Sequence, residues 1–211
     1  MTETTSTVSL TGDSFQERCR PHLNVWGPFR MTRDAVTVTA IHRFCEVAED
    51  GNPVYWDEAF AQQTRFGRVI APPQSLFAMT FPAWWTPTFM KKQLAADTAG
   101  LNGGDSNVGG SVFALCDQAG YSINTVASQE VEYLAPFGPG DGRLTMRSMV
   151  IDISVQKRVR VGTGVFVTTV TEYRTEVGDR VVGRSTTVLL RYKVESPTAV
   201  NVDPNQDGAS Q

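Results

Sequence analysis

Apolar residues recur at two different spacings along this chain, and the change between them divides it. Up to about residue 82 the spacing is helical. After Thr37-Val38-Thr39, the residues Ile41, Phe44, Val47 and Ala48 fall at i, i+3, i+6 and i+7, which is one face of a helix. Thr37 or Thr39 can cap its first turn, and Asp50-Gly51-Asn52-Pro53 ends it, because each of those residues breaks a helix for its own reason. A short helical stretch over 56–64 follows, with Ala59, Phe60 and Gln63 on one side. A turn at Gly67 then leads into Val69-Ile70-Ala71. Pro72-Pro73 suits the first positions of a helix, where a missing N–H has no intrahelical partner to lose. Leu76, Phe77, Met79, Thr80 and Phe81 make that helix apolar almost all round until Pro82, and such a helix is buried.

From Asn124 onward the spacing becomes that of strands. Residues 126–134, 144–153, 164–174 and 181–192 are rich in Val, Thr, Ile and Tyr and read as strands. Turn sequences join the first pair (Pro136-Phe137-Gly138-Pro139-Gly140-Asp141-Gly142) and the last pair (Glu176-Val177-Gly178-Asp179). Consecutive strands with short connections predict an antiparallel sheet. With the buried helix, the pattern describes an α+β hot dog, a single curved sheet wrapped round a central helix. Between helix and sheet, residues 84–120 show no period and contain Gly100-Leu101-Asn102-Gly103-Gly104-Asp105. They read as a long irregular loop, of the kind that is functional or disordered.

Composition narrows the picture. A chain of 211 residues, 41% hydrophobic and 19% charged, is the size of one globular domain. The tails at 1–14 and 195–211 lack any periodic apolar pattern and read as disordered, leaving the domain at 15–194. A net charge of -3, with scattered basic residues, gives no footprint for nucleic acid or a membrane surface. Three widely spaced cysteines, Cys19, Cys45 and Cys116, with only His22 and His42 beside them, have no metal-ligand spacing. Reduced thiols, the absence of a leader-like start and the lack of a long apolar run predict a cytoplasmic protein.

Two motifs carry candidate chemistry. The first runs Phe44-x-x-Val47-Ala48-x-Asp50-Gly51-Asn52-Pro53-Val54-Tyr55-Trp56-Asp57, and the second Phe66-Gly67-x-x-Ile70-Ala71-Pro72-Pro73. Asp50-Gly51-Asn52-Pro53 alone reads as a helix-ending turn. Taken with the second motif and with Pro139-Gly140-Asp141 downstream, the chain resembles the MaoC-like hydratase and dehydratase family, N-terminal type. The resemblance covers most of the expected domain. It implies an acyl thioester substrate, with coenzyme A or an acyl carrier as part of that substrate and no separate cofactor. In active members an Asp and a His five residues later activate a water that is added across, or removed from, a 2,3 double bond. One group takes a proton and the other gives one, while a backbone N–H at the central helix start stabilises the thioester oxygen.

This chain departs from that pattern twice. Asp50 and Asn52 stand in place, but the His position holds Tyr55, whose phenol, with an ordinary pKa of about 10, is a poor base. The glycine that offers its N–H is replaced by Pro73, which has none. The resemblance implies catalytic candidates Asp50 and Tyr55, and a substrate surface of Asn52, Ala71, Pro72, Pro73, Gln74, Trp84 and Trp85. The combination points to the acyl-shaping half of a heteromeric hydro-lyase, an enoyl-CoA hydratase or 3-hydroxyacyl-thioester dehydratase. A second hot dog then supplies the intact Asp/His pair, and a bulky steroid side-chain or long acyl group is a fitting substrate. The alternatives are a stand-alone acyl-thioester binding protein and a self-sufficient hydratase using Asp50 and Tyr55, either of them as a homodimer. Plainer roles are packing for Tyr55, Trp84 and Trp85, solvent exposure for His42 and turn formation for Asp141.

Overall fold

Alternation of side chains dictates the sheet. In a computed structural model that describes residues 12–81, 85–99 and 110–194, six strands form one antiparallel sheet: β1 (Arg30–Ala35), β2 (Ile123–Tyr133), β3 (Arg143–Ile153), β4 (Lys157–Val159), β5 (Gly162–Thr175) and β6 (Val181–Lys193). Their order is β1-β3-β5-β6-β2, with β4 forming a short hairpin on β5. The four long strands match the sequence expectation within a few residues. β1 was not foreseen, because Arg30-Met31-Thr32-Arg33-Asp34-Ala35 has no apolar alternation and pairs only through β3.

The inner face of the sheet is covered by helices. Of these, α2 (Val38–Ala48) is capped by Thr37, whose hydroxyl accepts from the Ala40 N–H at 3.2 Å. It buries Ile41 and Cys45 rather than the expected Val47 and Ala48; Val47 is 87% exposed. Val47, at i+6, lies about 120° round the helix from Ile41, whereas Cys45, at i+4, lies about 40° from it. α3 (Glu58–Gln62) is capped by Asp57. The central helix α4 (Ser75–Thr80) is shorter than its apolar run suggested and buries Ser75, Leu76 and Thr80, leaving Phe77 and Phe81 exposed. It seats on the sheet at Gly183, where a Cβ would stand 2.7 Å from Leu76 Cδ2 and 3.0 Å from the Glu132 carbonyl oxygen.

The expected loop over 84–120 is corrected in two places. α5 (Thr88–Ala99) and α6 (Gly110–Gln118) are helices. α5 shows no amphipathic stripe to reveal it, but Lys, Gln, Leu and Ala are strong helix formers. α6 packs on α1 (Gly12–Cys19), which begins three residues before the expected domain edge. Phe15, Cys19, Val112, Cys116 and Tyr121 form with Val150, Val165 and Val167 one core cluster. A second gathers Ile41, Cys45, Tyr55, Ile70, Ala71 and Leu76 against Leu144, Met146, Tyr173 and Val182. The tail expectations for 1–11 and 195–211 lie outside the described residues. No helix among the described residues is long and apolar enough to cross a membrane.

Candidate active site

The Asp50 turn is built by local hydrogen bonds. Glu49 takes a left-handed conformation (φ 52°) that ends α2, and Asp50 Oδ1 accepts from the Asn52 N–H at 3.1 Å. Asn52 Oδ1 accepts from the Val54 N–H at 3.2 Å and so caps the 3-10 turn Pro53–Tyr55. The Trp56 indole N–H donates to the Asp50 carbonyl at 2.8 Å. Asp50 and Asn52 therefore do the work of a helix-ending turn, and that turn carries Tyr55 inward.

Tyr55 is only 9% exposed and belongs to the core cluster with Cys45, Ala71 and Leu76. Among the described residues its hydroxyl has no hydrogen-bond partner. Burial raises its pKa, and the nearby charges of Asp50 and Cys45 raise it further, since a phenolate is disfavoured both by desolvation and by negative neighbours. Asp50 and Tyr55 are thus brought together, and the phenol stays protonated at neutral pH, able to offer a hydrogen bond but not to act as a base. His42, expected in solvent, is half-buried. Its ring stacks on Trp56 at 4.5 Å and 18°, and its Nε2 is buried with no hydrogen-bond partner among the described residues. The spacing of 14 residues between them hid that contact.

The Ala71-Pro72-Pro73 segment is clamped by the Pro139-Gly140-Asp141 turn. The Ala71 N–H donates to the Phe137 carbonyl at 2.7 Å. Asp141 is buried, and its Oδ2 accepts from the Gly138 N–H at 2.8 Å, Arg68 Nη2 at 2.6 Å and Arg180 Nη2 at 3.2 Å. Asp141 thus serves more than its own turn: it ties the residues before Ala71 to the sheet. At the start of α4, Ser75 donates from Oγ and from its N–H to the Pro72 carbonyl, at 2.6 and 2.9 Å. The Leu76 N–H donates to the Pro73 carbonyl at 3.1 Å. Those N–H groups are occupied, and Pro73 brings none.

Pockets lined by the described residues adjoin this framework and the sheet. One of about 230 Å³ is lined by Pro73, Ala71, Phe66, Tyr133, Leu134 and Phe137, among others; Asp50, Asn52, Tyr55 and the exposed Gln74 lie outside its lining. Two others, of about 460 and 170 Å³, share Arg30, Thr80, Phe81 and Met146 on the concave face of the sheet. Trp85 is 69% exposed and lines none of the three, and Trp84 lies outside the described residues. Sequence reasoning missed Arg30 and the polar inner-face positions Ser148, Thr171 and Ser185. The available signal was a hydroxyl recurring where an inward apolar residue belongs. The three cysteines are buried and unbridged. Burial pushes the Cys116 thiol up to about 12, which keeps it protonated and unreactive. Among the described residues no His, Cys, Asp or Glu group is arranged to hold a metal ion.

A family model described as FAS1-like, dehydratase domain region matches residues 26–109, and the fold agrees with it. A chain of the ChsH1-ChsH2 complex from Mycobacterium tuberculosis superimposes with a TM-score of 0.68 at 22% identity, covering 86% of this chain and 98% of that one. The MaoC-like dehydratase of Rhodospirillum rubrum superimposes at 0.51 and 19% identity, covering 81% and 94%. The chain has the hot-dog fold of these proteins. A probable enoyl-CoA hydratase alpha subunit of Thermomonospora curvata is 28% identical to this hot dog over 87% of the chain and 54% of its own length. The 3-oxo-4,17-pregnadiene-20-carboxyl-CoA hydratase alpha subunit of M. tuberculosis is 27% identical over 94% of the chain and 59% of its own. The chain therefore spans somewhat over half the length of these curated relatives.

Proposed function

We propose that the chain is one half of a heteromeric enoyl-CoA hydratase or 3-hydroxyacyl-thioester dehydratase. It shapes the acyl pocket, while a second hot dog supplies the Asp/His pair. The observation that carries this reading is Tyr55, a buried phenol with a raised pKa standing where the resemblance calls for a base. Pro73 adds to it by removing the N–H that would meet the thioester oxygen. Asp50 remains beside Tyr55, so the site keeps a carboxylate without a partner able to cycle a proton at neutral pH.

Three further observations support a partner. β2 is an edge strand exposed along nearly its whole length, with Ile123, Val126, Tyr133 and Leu134 in solvent. An unpaired apolar edge of that length is a template for another chain. The 230 Å³ pocket opens beside that edge, at Tyr133 and Leu134. The curated relatives are both alpha subunits, and their hydratase activity on acyl-CoA, in one case steroidal, fits the same reading. The chain acts in the cytoplasm, where acyl-CoA is available, and needs no cofactor beyond the thioester itself.

The test is co-purification from the native host, followed by hydration assays on enoyl-CoA substrates with the chain alone and with its companion. A second hot dog bearing Asp and His five residues apart, with activity requiring both chains, is the expected result. Rapid hydration by the pure chain would overturn the reading and make Tyr55→Phe the next variant. Binding of acyl-CoA with no turnover, even beside the companion, would identify a binding protein instead.

A further inference from the structure

Strand pairing assembles cross-sheet rows from distant parts of the chain. Arg30 pairs with Met146, Met146 with Tyr173, Tyr173 with Gly183 and Gly183 with Tyr133. Directly opposed residues share a face, and this face is the concave one, because Met146 and Tyr173 belong to the core. Two residues along each strand, the next row on that face contains Ser148, Thr171 and Ser185. Beyond it stand Thr169, Thr187 and Gln129. A hydroxyl belt therefore lies between the two hydrophobic clusters, where packing alone would place Val or Leu. Ser148 and Thr171 hydrogen-bond at 2.7 Å, and Tyr173 and Ser185 at 3.1 Å. This belt lines the 170 Å³ cavity together with Phe77 and Phe81.

Arg30 stands where that cavity meets the 460 Å³ pocket, lining both. Its Nε is buried, and among the described residues it has no hydrogen-bond partner. The nearby carboxylates are committed elsewhere. Asp34, in the larger pocket, is paired with Arg33 at 2.7 Å. Glu172 is on the opposite face of β5, engaged by Arg147, Arg174 and Arg184. A guanidinium cannot shed its proton, and a desolvated charge without a partner is costly. Burial does pull the Arg30 pKa down, with Tyr173 opposing. The Nε of Arg30 is therefore left without a partner at the wall of a space lined by apolar groups and hydroxyls.

We propose that Arg30, Tyr173 and the Ser148–Thr171–Ser185 belt bind an oxygen function, a carbonyl or a carboxylate, on the part of the acyl group remote from the thioester. The proposal rests on the hydratase reading and adds to it the chemistry at the far end of the substrate. The row supplies a ruler. Four strand spacings separate Arg30 from Tyr133, which lines the Pro73 pocket, and at about 4.8 Å each they span at most about 19 Å. The ligand is then a long or bulky apolar acyl chain carrying an oxygen acceptor at its distal end.

The test uses the full chain with its co-purified companion, and reads dissociation constants from tryptophan fluorescence. The probes are tetradecanoyl-CoA and its terminal methyl-ketone and ω-carboxylate analogues. At least one oxygenated probe should bind about tenfold tighter than the parent ligand, the worth of one hydrogen bond to a charged group. Arg30→Met should bring that ratio close to one. Arg30→Lys, which keeps the charge but loses the fork, should retain part of a carboxylate preference and little of a ketone preference. Equal binding of all three probes overturns the proposal while leaving the hydratase reading intact, as does a preference that survives in Arg30→Met. If no probe binds, both fall together.

Discussion

Replacing Asp141 by Asn removes a charge without removing the carbonyl oxygen that the Gly138 N–H needs. The cost is then that of the two arginine contacts. The bond from Arg68 is short, 2.6 Å, and its side chain is 34% exposed, so a charge-assisted bond of about 1.5–3 kcal/mol applies, toward the lower end. The contact with Arg180 is 3.2 Å long and that side chain is 40% exposed, so solvent screening leaves about 0–1 kcal/mol. Asp141→Asn should therefore cost about 2 kcal/mol. Asp141→Ala also orphans the buried Gly138 N–H and should cost about 1–2 kcal/mol more. Urea denaturation followed by circular dichroism, at fixed protein concentration, reads both values. In a thermal melt about 2 kcal/mol corresponds to a fall of about 4–8 °C for a domain of this size. Equal stabilities for the two variants would refute the role given to the Gly138 bond. A loss under about 0.5 kcal/mol for Asp141→Asn would refute the clamp itself.

Two further outcomes follow from neighbouring features. Gly138→Ala would set a Cβ 2.8 Å from the Val69 carbonyl oxygen and 3.1 Å from Ile70 Cα; both are backbone atoms that cannot swing aside. A loss of about 1–3 kcal/mol is expected, with amide exchange accelerating at Ala71, whose N–H donates to the adjacent Phe137 carbonyl. Glu172 gives the pH dependence. Burial raises its pKa, but hydrogen bonds from Arg174, Arg184 and Arg147 outweigh that and hold it below the ordinary value. A depressed carboxyl stabilises the fold fully above its unfolded pKa and loses that contribution as pH falls through its folded pKa. Melting temperature should drop on acidification below about pH 5, and Glu172→Gln should flatten that drop; an unchanged acid limb would exclude the arginine cluster as its source.

Periodicity in the sequence made the sheet legible because alternation is a local property. The side-chain period of a strand is two, and the four long strands declare it in their own residues. Thr37 as a cap, the turn at Asp50 and the helix start at Pro72-Pro73 were legible for the same reason, since caps and turns are made by neighbours in the chain. α1 and α6 were not legible. Phe15 and Cys19 become core only against Val112 and Cys116, about 100 residues away. Arg30 carries no signal in a six-residue strand that pairs by virtue of β3.

The sequence by itself determined the four long strands, the caps and turns around α2 and α4, and the presence of Tyr55 and Pro73 where the resemblance expects His and Gly. Only the tertiary structure decided that Tyr55 is buried with a raised pKa and that Asp141 holds Arg68 and Arg180. It alone shows that one cross-sheet row joins Arg30 to Tyr133. The reason lies in where the interactions come from. Helix and strand character arises from residues a few positions apart, whereas burial, charge and cavity walls arise from strands that meet only after the chain has folded.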